Sequence, residues 1–128
     1  MTEHAVIVWN SGLTKKQVND IERVQKVAFK IILGCKYVAY EQACAYFHVL
    51  TLAERRHNLC TKFAVKLYKS KRCDQFFKKL DKNVRTRQKR LVLETRCRTK
   101  RGYKAPHHYL TRLVNQNYDK IVKAKKSS

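Results

Sequence analysis

At 128 residues the chain can bury a real core, and one compact domain is the default. Its hydrophobic content of 44% is ordinary, but 30 Lys and Arg stand against 9 Asp and Glu, a net charge of +21. Self-repulsion of that size opposes folding and usually answers to a polyanionic partner, nucleic acid first and an anionic membrane surface second. The five cysteines, Cys35, Cys44, Cys60, Cys73 and Cys97, are odd in number and widely spaced, which argues against a disulfide framework. They point to buried thiols in a reducing, intracellular setting, nucleus or cytoplasm.

The first residues, MTEHAVIVWNSGL, carry no basic leader and only a short apolar run from Ala5 to Trp9. They predict neither a signal peptide nor a membrane span, and no membrane partner is expected. A helix is predicted from about Lys15 to Leu33. Thr14 and Gln17 form a capping box, Leu13 and Val18 a hydrophobic staple, and Gly34 the stop. Val18, Ile21, Val24, Ala28 and Ile31, widened by Phe29 and Ile32, recur at helical spacing and predict a core-facing stripe.

A second helix is predicted from about Tyr40 to Phe47. A third starts at the Thr51 and Glu54 capping box and runs through Leu59, Cys60, Phe63, Ala64, Leu67 and Tyr68. CDQFFKKL reads as a further short helix or turn that sets Phe76, Phe77 and Leu80 against the others. Residues 1–80 thus read as a helical bundle.

From Asp81 the apolar periodicity fades, and Gly102 and Pro106 should break any helix. Residues 81–109 read as a basic arm packed on or beside the bundle, with one short strand around Leu91 to Leu93. A C-terminal helix is predicted over 110–122 through Leu110, Leu113, Val114, Tyr118 and Ile121, and residues 123–128 read as a disordered basic tail. The predicted fold class is mainly α: a small helical bundle of three to five helices with a basic, partly extended C-terminal arm.

Charge concentrates in the second half, where residues 71–128 hold 19 Lys and Arg against 4 Asp and Glu. In the arm Arg85, Arg87, Lys89, Arg90, Arg96, Arg98, Lys100, Arg101 and Lys104 are opposed only by Glu94. A mixed-sign surface would give solubility with less repulsion, so these residues are candidate phosphate ligands. Tyr103, His107, His108 and Tyr109 interleave rings with this charge. They read either as platforms for unpaired bases or as packing of the arm onto the bundle. On the third helix Arg55 and Arg56, with Lys62, Lys66 and Lys69 after them, read as a phosphate-tracking stripe or as a solvated face with an ion pair from Glu54.

Other chemistries lack their signatures. Cys44 and His48 share a helix face, and Cys97 lies near His107 and His108, but no C-x2-C or H-x3-H spacing occurs. No metal and no cofactor are expected. With three glycines there is no phosphate-cradling loop or nucleophile elbow, and no enzyme is expected.

Several segments in order, LTKKQVNDIERVQKVAFKIILG, YVAYEQAC, LTLAERRHNLCTKFAVKL and CRTKRGYKAPHHYLTRLVN, resemble a known family. They look like the C-terminal region of reverse transcriptases from non-LTR retrotransposons of the jockey type, over about Val8 to Asn115. The resemblance implies a helical, basic appendage downstream of the polymerase palm and thumb that helps to hold template RNA or target DNA. It implies the polymerase part as a neighbour and no polymerase active site, and the YxDD carboxylate pair of two-metal catalysis is absent here. The sequence thus predicts a non-catalytic nucleic-acid-binding module, RNA favoured over DNA. The alternatives are a protein docking or assembly module using the Thr14 helix and Trp9, or a non-functional retroelement fragment.

Overall fold

The structure, a computed structural model, describes residues 5–71, 74–80 and 87–126. The chain is a small, mainly α helical-bundle protein, with seven α-helices and no strand among the described residues. No helix among them is long and apolar enough to cross a membrane. In order they are α1 (Val6–Trp9), α2 (Lys15–Leu33), α3 (Tyr40–Tyr46), α4 (Leu52–Ser70), α5 (Lys100–Tyr103), α6 (Pro106–Gln116) and α7 (Tyr118–Lys126).

The chain divides into two compact units, Leu13–Asn58 and Met1–Gly12 with Leu59–Ser128. The division therefore falls inside α4, not at residue 80. Residues 52–58 of α4 serve one unit and residues 59–70 the other.

In the first unit α2 starts where the sequence places it. Thr14 Oγ1 accepts from the Gln17 N–H at 3.3 Å, and the Thr14 N–H donates to Gln17 Oε1 at 2.9 Å. Such a cap contributes about 1 kcal/mol. Gly34, at φ +52°, closes the helix in a conformation that a side chain would strain. The α4 start repeats the design, with Thr51 and Glu54 bonded reciprocally at 3.2 and 3.3 Å.

The small core of this unit is Phe29, Ala43 and Cys44, ringed by Leu33, Tyr37, Tyr40 and Phe47. The Phe29 and Phe47 rings stack at 5.3 Å. Here the predicted orientation of α2 is overturned. Glu22 and Phe29 are buried, whereas Val24 is 69% exposed, Ile31 is 77% exposed, and Val27, Ala28 and Ile32 are exposed as well. Apolar residues occupy opposite sides of α2, and the side that meets Tyr40 and Phe47 is the one that packs. Cys35, read as a buried thiol, is exposed, whereas Cys44 and Cys60 are buried.

The second unit gathers Val6, Cys60, Ala64, Phe77, Val92, Leu110, Leu113, Val114 and Ile121 into one core. α1, unseen in the sequence, brings Val6 to it, and Trp9 packs at its edge. The 74–76 segment is a turn; Phe77 is buried as expected, but Phe76 is 62% exposed, against the expectation for that ring.

Instead of a strand at Leu91 to Leu93, a single antiparallel bridge joins Lys79 and Val92. Gly102 does not prevent a turn of helix: α5 forms around it, capped by Thr99 Oγ1, which accepts from the Gly102 N–H at 3.1 Å. Pro106 does not break α6 but begins it, at the first-turn position where a missing N–H costs nothing. The predicted 110–122 helix is two, α6 and α7, parted at Asn117, and helix continues through Lys126 where a disordered tail was expected. Residues 127–128, Cys73 and the arm residues 81–86 lie outside the described residues.

Candidate nucleic-acid interface

One side chain anchors the arm at four atoms. Asn115, on α6, accepts from the Leu91 and Val92 N–H groups at 3.0 and 3.1 Å through Oδ1, and donates to Val92 O at 3.0 Å and Glu94 Oε1 at 2.8 Å through Nδ2. Both donors and both lone pairs of the amide are used, each bond contributing about 1 kcal/mol net. Val92 is fully buried beside it, and the Leu93 N–H donates to Lys78 O at 2.8 Å. An irregular segment is thereby pinned at its centre.

Either side of that pin the cations point to solvent. Arg87, Lys89 and Arg90 precede it, Arg96 and Arg98 follow, and Lys100, Arg101 and Lys104 continue on and after α5; all eight are exposed. Arg90 bonds to Gln88. The carboxylate of Glu94, the acid within this run, is engaged by Asn115. Arg85 lies outside the described residues.

α5 is held down by Arg112. Its guanidinium stacks 3.7 Å over the Tyr103 ring and donates to Tyr103 O at 2.8 Å. One face of Tyr103 is therefore covered. Tyr109 is no platform, since its ring packs on the core and its hydroxyl accepts from Asn10 Nδ2 at 3.4 Å. Burial pushes its phenol above the ordinary value. Of the four predicted rings only His107 and Tyr103 remain exposed. His108 stands 3.9 Å from His107, ring to ring, and its Nδ1 lies 3.3 Å from Thr95 Oγ1. Burial, then the neighbouring His107 and Arg112 charges, hold His108 below the usual histidine value.

The α4 stripe does not survive intact. Lys62, Lys66 and Lys69 are exposed on the side away from the buried Cys60 and Ala64, and Arg55 is exposed. Arg56 is corrected from phosphate ligand to structural residue: it is 3% exposed, with Nη2 3.6 Å from Glu22 Oε1. Tyr40 completes this group, its hydroxyl 2.5 Å from Glu22 Oε2 and 2.7 Å from Gln25 Oε1. Desolvation, then the bond to Glu22, push the Tyr40 phenol above its ordinary value of 10.0. The stability this proton contributes is therefore present below pH 10.0 and lost as pH rises beyond it. Glu54, at the start of α4, closes the cap through Oε2, which accepts from the Thr51 N–H at 3.2 Å.

Glu22 and Asn115 were not foreseen. The available signal was weak in both cases, a polar residue within a helical stretch. Among the described residues no group of three or more His, Cys, Asp or Glu is arranged to hold a metal ion. Compared with protein-family models, with curated proteins and with solved structures, the chain has no significant match.

Proposed function

We propose that this protein is a non-catalytic, intracellular nucleic-acid-binding module that grips phosphates through its basic arm, with RNA favoured over DNA. The observation that carries this reading is the pinned segment: exposed cations on both sides of Val92, with Glu94, the acid within the run, engaged by Asn115. A backbone already anchored loses less conformational entropy on binding than a free one, and each phosphate contact releases counterions. Arg87, Lys89, Arg90, Arg96, Arg98, Lys100, Arg101 and Lys104 are the assigned phosphate ligands, with Lys62 and Lys66 as a secondary set. The resemblance to the C-terminal region of jockey-type reverse transcriptases agrees with this reading and would make a polymerase part the protein it accompanies. The test is salt-titrated binding to single-stranded RNA, structured RNA and duplex DNA; affinity that ignores ionic strength contradicts it.

A second reading, docking on another protein surface, is favoured by the apolar stripe of α2, exposed at Val24, Ala28 and Ile31. With the half-buried Ile21 these residues follow the alternating three- and four-residue spacing of a helix-pairing seam. The two readings answer salt with opposite signs, because salt weakens phosphate binding but screens the repulsion between two highly positive chains. If the stripe docks on a second copy, sedimentation at about 1 M salt, where the Debye length is about 3 Å, finds reversible dimers. The Ile31→Lys variant then stays monomeric, and a wild-type monomer at high salt overturns self-docking.

A further inference from the structure

A cleft of about 460 Å³ opens between the 75–78 turn, residues 93–95 of the arm and the start of α6. Its walls include Gln75, Phe76, Lys78, Thr95, His107 and His108. We propose that this cleft takes one unpaired nucleotide of a single-stranded nucleic acid, with the base stacked on Phe76 and the phosphate beside Lys78. The proposal rests on the nucleic-acid reading and deepens it, since it names what the protein does with a base.

Four observations converge. The volume falls in the range of small-ligand pockets, about 300–1,000 Å³. Phe76 exposes most of its ring while its neighbour Phe77 is buried, so the turn presents a large apolar face to solvent that the core does not use. The walls otherwise carry what a base edge and a phosphate need: an amide and a hydroxyl that donate and accept, an imidazole, and an exposed ammonium. Thr95 is followed at once by Arg96 and Arg98, so a strand whose phosphates track those cations passes the mouth of the cleft.

The parts are also held in place. The Lys78 carbonyl accepts from Leu93, which fixes the turn against the arm, and Thr95 fixes the His108 ring. With His108 Nδ1 engaged by Thr95, Nε2 is the ring atom left to meet a base edge. A base within a duplex is stacked and paired and does not reach such a cleft without being extruded.

The test is fluorescence-anisotropy binding of the full chain to a short single-stranded RNA, the DNA of the same sequence, and the matching duplex. Phe76→Leu should weaken both single strands by roughly 5- to 100-fold, the usual range for losing one base stack. Duplex affinity and the salt slope should stay unchanged, and Phe76→Tyr should retain single-strand binding. Because Phe76 is exposed, these variants keep the fold, which circular dichroism checks. Loss confined to RNA assigns the cleft a ribonucleotide, and equal loss on RNA and DNA assigns it the base alone. Equal loss on single strands and duplex, or no loss, overturns the cleft while leaving phosphate binding standing. Wild-type protein that binds none of the three probes overturns the nucleic-acid reading, and the cleft assignment with it.

Discussion

With Arg96, Arg98, Lys100 and Arg101 all replaced by glutamate, affinity for every nucleic acid should fall by about a hundredfold or more near 0.1 M salt, whatever the sequence. The four side chains are exposed, so their loss removes no packing, and reversing them relieves self-repulsion in a strongly cationic chain. Each abolished phosphate contact takes about 0.7 to 0.9 from the slope of log K against log salt, so the slope should flatten by roughly three. Reversing Lys15, Lys16, Arg23 and Lys36 instead, equally exposed and equal in charge, separates site from net charge. That variant acts only through the screened long-range field and should lose far less. Comparable losses in the two variants would mean that the arm is merely one part of a diffuse positive surface.

Arg56→Leu should destabilise the fold by about 3–5 kcal/mol, because it leaves the Glu22 carboxylate buried without its cation. Thermal unfolding should register a fall on the order of 10 °C. Arg55→Leu, one residue away but exposed, should barely move the midpoint. The double variant Glu22→Leu with Arg56→Leu should recover much of the loss, since removing both charges of a buried pair costs less than removing one. An Arg56→Leu protein as stable as the wild type would refute the structural role and return Arg56 to the candidate phosphate ligands.

The contrast between Arg55 and Arg56 shows where sequence reading ends. Both helix starts, at Thr14 and Thr51, were legible because a capping box is a local bond between residues three apart. Facing was not: one residue along α4 turns the side chain by about 100°, and only the placement of Glu22 decides which arginine is buried. The same holds for α2, whose apolar residues lie on opposite sides: periodicity favoured the stripe through Val24 and Ile31, yet Phe29 is the residue that meets α3. Phe76 and Phe77 are adjacent and alike in the sequence, and only the turn separates an exposed ring from a buried one.

The arm is the mixed case. Its charge was plain from composition, and the irregular backbone of residues 87–99 from the lack of periodicity. Its anchor was not, because Asn115 looks like any polar residue on a helix until Leu91 and Val92 arrive from more than twenty residues away. Pro106 misled because proline stops a helix from within but starts one from its first turn.

The most direct test of the central claim is the salt dependence of binding to single-stranded RNA. With the exposed arm cations on phosphates, a plot of log K against log salt should fall with a slope of about −4 to −6, and the four-glutamate variant should flatten it by roughly three. A wild-type slope shallower than about −1, or one that the variant leaves unchanged, would contradict the assignment of the arm as the phosphate-binding element.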